Sequence, residues 1–288
     1  MQLSTEELAS FTQYGFLAKR GLIDESECDT AVDVAWDKLA ELKIGKQPAQ
    51  WKTQPQLKRK MGVIKLRESV NSNQQLNKLA SNESVRSIVE QLIGPNIECR
   101  GVRGVYPTFP VSRLVARPYE PHIEMHSVQV FIMYYLDDVS EKSGGLYAWP
   151  GSHIPIYKAC RSKFDYLPSA DFTSVYNQYN LSKPLDLTGN KGDVIFLHHR
   201  MLHSGSNNFS SKVRFGMLVD YTSQNFEEIR QQPPTDDIWE DWSEAVQQAA
   251  KTQDAKVLPQ KSLARSIKIQ LIHAIRKARG IPPRAYAE

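Results

Sequence analysis

The sequence predicts a mainly β protein with flanking helices, built around an antiparallel double-sheet barrel with a helical layer outside. Three observations lead there. Amphipathic helical stripes occupy the N-terminal third and the C-terminal end. Between them, from about residue 97 to 225, lie short runs rich in Val, Ile, Tyr and Phe, separated by Gly, Pro, Asn and Asp. These runs do not alternate with helices as a parallel βαβ array requires. A chain of 288 residues suits one large domain with appendages.

The elements follow in order. Ser4 and Glu7 have the spacing of a capping box, and "TEELASFTQYGFLAKRGLI" reads as helical, with apolar residues near helical spacing. "ESECDTAVDVAWDKLAELKI" predicts a second helix, and the Gln-rich, Pro-broken "GKQPAQWKTQPQLKRKMG" a surface loop. Leu79, Val85, Ile88, Val89 and Leu92 then form a helical stripe that Gly94-Pro95 stops. Strands are expected in "IECRGVRGVYP", "SVQVFIMYYLDD", "GGLYAWPGSH", "GDVIFLHH" and "VRFGMLVDYT". The long irregular stretch that begins "IPIYKACRSKFDY" predicts a lid or binding loop. The resulting organisation is a domain over residues 1–225, with a helical part at 1–95 and a β core at 97–225, and a helical C-terminal extension at 226–288 packed on it. Within that extension the basic amphipathic helix 262–279 is expected to dock on its own domain, with a dimer contact or an anionic membrane surface as alternatives.

Hydrophobic residues make up 41% of the chain and charged residues 24%, ordinary values for a packed globular protein. A formal charge of +4 is compatible with an anionic small-molecule substrate and too weak to argue for nucleic acid, since no RNA- or DNA-binding motif spacing accompanies it. The N-terminus lacks the basic-then-apolar layout of a signal peptide, and no run of apolar residues is long enough to span a bilayer. Cys28, Cys99 and Cys160 are far apart and form no C-x-x-C pair, as expected of reduced, mostly buried thiols. Together these features predict a cytoplasmic protein.

The chemistry concentrates in "RPYEPHIEMHSVQVFIMYYLDD", residues 117–138. If the strand begins there, His122, Glu124 and His126 alternate and share one face. Two ligands on one strand hold a metal poorly, and "GDVIFLHHRMLHSG" offers His198, His199 and His203 as candidates for a third. Two imidazoles and a carboxylate on one side of an octahedral ion suit non-haem Fe(II), whereas structural zinc favours four protein ligands with thiolates, and no Cys lies near.

The same region carries an ordered set of motifs: His122-Ile123-Glu124, "YYLDD" at 134–138, "SGG" at 143–145, Pro150-Gly151-Ser152-His153, Gly192-Asp193, a His eleven residues after that Gly, and an Arg eleven residues after that His. In this order and spacing the chain resembles the phytanoyl-CoA dioxygenase-like family of Fe(II)- and 2-oxoglutarate-dependent oxygenases, over roughly residues 5–225. The resemblance implies a double-stranded β-helix (jelly-roll, cupin-like) core. It also implies Fe(II) held by His122, Glu124 and His203, with 2-oxoglutarate and O2 as co-substrates. The implied reaction is hydroxylation of an unactivated C–H bond of a small-molecule or lipid-like substrate, with release of succinate and CO2. Glu124 departs from the commoner Asp of the family pattern. Halogenating relatives lack the carboxylate, so its presence favours hydroxylation.

Arg214 is the implied anchor for 2-oxoglutarate. Chelation through the keto-acid end leaves a distal carboxylate, which a guanidinium neutralises with two parallel hydrogen bonds. On an extended strand Arg214, Gly216 and Leu218 share a face, and the small glycine leaves room for a ligand. His126 is expected to line the substrate pocket or support a ligand. Arg103, Tyr106 and Arg117 are candidates for the mouth, where they would suit an anionic substrate. His198 and His199 are assigned to packing or surface, and His153 to a structural hydrogen bond. Two rival readings remain: a non-catalytic metal-binding barrel acting as a binding or regulatory module, and an oxygenase acting on a macromolecule.

Overall fold

The computed structural model describes residues 1–51, 54, 57, 62–68, 70–115, 121–179 and 184–252; Arg117 and the expected basic helix 262–279 lie outside the described residues. Among the described residues eight strands run in chain order: β1 (Phe16–Lys19), β2 (Ile97–Val105), β3 (Val130–Tyr135), β4 (Leu146–Ala148), β5 (Leu185–Leu187), β6 (Val194–His198), β7 (His203–Gly205) and β8 (Gly216–Ser223). They form a five-stranded sheet in the order β1-β6-β3-β8-β2 and a three-stranded sheet in the order β5-β4-β7. All pairings are antiparallel. This is the double-stranded β-helix.

β3 explains how the layers are held. All six of its residues are buried, so one face packs on the helices and the other on the barrel interior. Val130, Ile132 and Tyr134 join a core shared with the N-terminal helices α1 (Thr5–Tyr14) and α2 (Glu25–Glu41) and the helix Glu83–Ile93. Phe131, Met133 and Tyr135 point the opposite way. The Tyr135 hydroxyl donates to the Leu187 carbonyl at 2.5 Å and accepts from Leu146 N–H at 3.3 Å, pinning the large sheet to the small one.

The helical reading of "TEELASFTQYGFLAKRGLI" is corrected in its second half. The capping box forms as expected, but α1 stops at Tyr14 because Gly15 adopts φ 81°, a left-handed cap that glycine takes without a Cβ clash. Phe16–Lys19 then pairs with β6 as an edge strand. A second correction concerns the strand expected to start at His122: regular β3 begins only at Val130, and His122 makes an isolated bridge to His203. The long stretch after the P-G-S-H turn folds into two short helices, His153–Lys158 and Phe172–Asn177, before β5. Beyond β8, Ile238, Trp239, Trp242 and Val246 enter the main core, so residues up to the helix Glu244–Lys251 pack with the rest. No helix among the described residues is long and apolar enough to cross a membrane.

Candidate metal and co-substrate site

A cavity of about 450 Å³ opens between the sheets, lined by Arg103, Tyr106, His122, Glu124, His126, His203 and Arg214 among others. Every described residue assigned to the metal, co-substrate or substrate role therefore reaches one cavity, while His198 and His199 do not line it. The lining residues arrive by different routes.

His122 and His203 are a reciprocal backbone pair, His122 N–H donating to the His203 carbonyl at 2.9 Å and His203 N–H to the His122 carbonyl at 3.0 Å. Directly opposed residues of an antiparallel bridge project to the same face, and the two rings stand 4.4 Å apart between centroids. The Nδ1 of His203 lies 2.9 Å from the Met201 carbonyl, which can only accept, so that nitrogen carries the proton and Nε2 presents its lone pair. Nε2 faces Glu124 Oε1 at 3.3 Å. Two acceptors facing each other need a cation between them, a proton or a metal ion. Glu124 is buried; burial alone would raise its carboxyl, but the Arg103 guanidinium, together with the His203 imidazole when Nε2 carries a proton, more than offsets this and holds it well below the usual carboxylate range. Among the described residues no trio of His, Cys, Asp or Glu already converges as a finished metal site. The donor chemistry nonetheless fits a divalent ion of the iron type: Glu124 and His203 face each other, and His122 stands beside His203.

Arg214 sits in a second reciprocal pair, with Thr108, and its Nη2 donates to Thr108 Oγ1 at 3.1 Å. A Cβ on Gly216 would fall 2.4 Å from Arg214 Nη1 and 3.0 Å from Met133 Sδ, so the glycine supplies the space that the guanidinium occupies. Arg103 makes an ion pair with Glu124 and a two-pronged contact with Asp220. Tyr106 is partly buried and its hydroxyl is pushed above its ordinary value by burial, so it serves as a neutral hydrogen-bonding group. His126 is exposed at the rim.

The remaining motif residues are scaffolding. Asp137 accepts from Phe215 N–H at 2.8 Å, fixing the backbone beside Arg214. Gly144, at φ 86°, turns so closely past Thr108 that a Cβ would meet its Cγ2 at 2.9 Å. Asp193 gathers Gly21 N–H at 2.8 Å, Asn190 N–H at 2.7 Å and the Arg20 guanidinium at 2.5 Å. His153 Nε2 meets the Thr12 carbonyl at 3.1 Å. His198 and His199 are buried, His198 stacked on Trp242 at 4.8 Å and His199 with Nε2 on the Lys163 carbonyl at 2.9 Å.

Sequence reasoning missed Asp220 and Phe131. Asp220 lies two residues past Leu218, on the face already assigned to Arg214 and Gly216. An acidic residue on the inward face of a strand was the available signal. Phe131, whose ring lies 4.7 Å from that of His203, was hidden in a uniformly apolar run.

The barrel and its lining define the class, a double-stranded β-helix with a mixed imidazole–carboxylate centre and an inward arginine. A family profile, phytanoyl-CoA dioxygenase, matches residues 11–216, and the chain belongs to that family of Fe(II)- and 2-oxoglutarate-dependent oxygenases. Among solved structures it is similar to SnoK, a non-haem α-ketoglutarate-dependent carbocyclase from nogalamycin biosynthesis, with a TM-score of 0.53 and 18% identity over 84% of this chain and 96% of that one. It is also similar to HygX from Streptomyces hygroscopicus, solved with nickel and 2-oxoglutarate, with a TM-score of 0.53 and 14% identity over 77% of this chain and 88% of the other. EctD from S. alaskensis, solved with 2-oxoglutarate and 5-hydroxyectoine, gives a TM-score of 0.52 and 14% identity over 81% and 79%. At these identities the likeness establishes the fold. No curated protein matches the sequence.

Proposed function

We propose that the chain is an Fe(II)- and 2-oxoglutarate-dependent dioxygenase that hydroxylates an unactivated C–H bond of a small-molecule or lipid-like substrate, releasing succinate and CO2. The observation that carries this reading is the opposition of His203 Nε2 and Glu124 Oε1 at 3.3 Å, two acceptors in a cavity that also holds His122 and Arg214. Bound iron would supply activation of O2, coupled to decarboxylation of 2-oxoglutarate. The chain's own residues divide the remaining work. His122, Glu124 and His203 hold the ion, and Arg214, steadied by Thr108, receives the distal carboxylate of the co-substrate. Lys65, Arg67 and Tyr106 on the wall suit an anionic group on the substrate. A cavity of about 450 Å³ matches a small molecule or one end of a longer one.

Anaerobic addition of Fe(II) and 2-oxoglutarate is expected to give the visible charge-transfer band of the chelate, and substrates are found by screening for compounds that shift it. His203→Ala should lose iron and the band, and His199→Ala should keep both; the reverse result overturns the ligand assignment. Iron and 2-oxoglutarate binding with no succinate formed under air, for any compound that shifts the band, would instead support the binding-module reading. Gly216→Ala tests the co-substrate anchor. Pushing aside a guanidinium that makes two charge-assisted bonds should weaken 2-oxoglutarate binding by roughly tenfold, about 1.4 kcal/mol, while iron affinity stays near the parent value. Equal 2-oxoglutarate affinity in the two proteins would remove Arg214 from this role.

A further inference from the structure

We infer that Arg103, anchored by Asp220, is a positioning residue that engages one oxygen of Glu124 and so presents the other to the metal; this rests on the metal reading above. The backbone aims the side chain. In the β2–β8 ladder Val102 pairs with Val219 and Gly104 with Leu218, so Arg103 is the extra residue of a bulge. Bulges re-aim side chains next to sites. From there the Arg103 Nε donates to Asp220 Oδ2 at 2.8 Å and Nη2 to Asp220 Oδ1, while Nη1 reaches Glu124 Oε2 at 2.6 Å. The two carboxylate oxygens of Glu124 thus have different neighbours: Oε2 faces Arg103 and Oε1 faces His203.

Phe131 forms a common floor. The guanidinium carbon of Arg103 lies 5.6 Å from the centre of its ring, and the same ring packs against His203. With side chains only 8% and 6% exposed, Arg103 and Glu124 have little freedom to separate. This arrangement also gives a physical reason for Glu at position 124. Its carboxylate spans from Arg103 to His203, and an aspartate one methylene shorter on the same backbone could not hold both contacts. Residues that orient a ligand in this way typically change metal affinity by about 10–100-fold when altered.

The test is a Co(II) titration of the full, metal-free chain under anaerobic conditions, reading both affinity and the visible d–d spectrum. Arg103→Gln, Arg103→Lys and Asp220→Asn are compared singly and in a Glu124→Ala background. Arg103→Gln should weaken Co(II) binding about 10–100-fold and change the spectrum. Arg103→Lys should recover part of the affinity, and Asp220→Asn should shift it in the same direction by less. In the Glu124→Ala background none of these should weaken binding further, because the carboxylate through which they act is gone. Equal losses in both backgrounds would make the role purely structural and overturn the proposal. Tighter Co(II) binding by Arg103→Gln would do the same by making Arg103 a competitor for the carboxylate. Should Arg103→Gln fail to fold, Asp220→Asn and Arg103→Lys carry the same comparison. Loss of Co(II) in Glu124→Ala with no effect of Arg103 defeats this inference alone, whereas parent-like Co(II) binding by Glu124→Ala defeats the metal site itself.

Discussion

Glu124→Ala is expected to lower succinate formation by on the order of a hundredfold or more while leaving the metal-free protein nearly as stable as the parent. The activity loss follows from removing the single carboxylate that faces His203. The stability result runs against the usual rule, under which removing one partner of a buried ion pair costs about 3–5 kcal/mol. Here two carboxylates share one guanidinium, and Arg103 keeps its two-pronged contact with Asp220 when Glu124 is gone. The remaining pair is neutral. The expected change is within about 1 kcal/mol, or about 2–4 °C in Tm. Arg103→Ala should behave oppositely, since it leaves the buried Glu124 and the largely covered Asp220 without their shared cation, and it should cost about 3–5 kcal/mol. Glu124→Asp should retain part of the activity, because a carboxylate stays on the correct face. Urea unfolding of the metal-free variants beside a succinate assay checks all three, and a large stability loss in Glu124→Ala would show that Glu124 is needed for folding as well.

Stability of the metal-free protein is expected to fall steeply as pH drops below about 6.5, because of three buried histidines, His153, His198 and His199, that are not among the proposed ligands. His153, His198 and His199 stack together with Trp239 and Trp242. Burial lowers all three: His153 to about 4, and His198 and His199 well below the ordinary value, with neighbouring charges adding to the effect on the latter two. The native state therefore binds fewer protons than the unfolded chain, whose histidines titrate near 6.5. The stabilisation is fully present above that value and declines as pH falls toward the folded values. Each proton taken up on unfolding contributes about 1.4 kcal/mol per pH unit, so three give a slope of about 4 kcal/mol per unit at most. Asp186 acts in the other direction: burial raises its carboxyl to about 6, so it gains stability on acidification and flattens part of the curve. His198→Phe keeps the stack on Trp242 and loses the bond from Arg200 N–H to His198 Nδ1. It should cost about 1 kcal/mol at pH 7.5 and reduce the acid slope by close to one proton. An unchanged slope would move the titration elsewhere.

The motifs were legible because each rests on local rules. The apolar run "VFIMYY" reads as a buried strand from composition alone. The two-residue spacing of His122 from Glu124 brings both to the cavity, and that of Arg214 from Gly216 sets the guanidinium beside the glycine, although His122 and Arg214 sit in isolated bridges rather than in regular strands. The end of α1 is not legible because helical spacing of apolar residues runs straight through Gly15; only the left-handed cap ends the helix, and the four residues after it are strand because β6 offers an edge. The Arg103–Asp220 contact joins residues 117 positions apart, and no local pattern predicts which of many arginines meets which aspartate. The bulge that aims Arg103 was likewise invisible, since it is a property of the β2–β8 register and not of either strand alone.

The bridge between His122 and His203 has a consequence for how this chain can diversify. Because the two imidazoles are brought side by side by backbone pairing, their spacing is insensitive to most substitutions nearby but depends wholly on counting. Inserting or deleting one residue between His199 and His203 would offset the ladder by one step and turn one imidazole to the opposite face, with every ligand still in the sequence. Substitutions at pocket-wall residues such as Met125 or Leu218 are therefore expected to leave the imidazole pair in place, whereas length changes in this short connection are expected to disrupt it. Libraries built on this scaffold should vary identity at the wall and hold loop length fixed between His199 and His203.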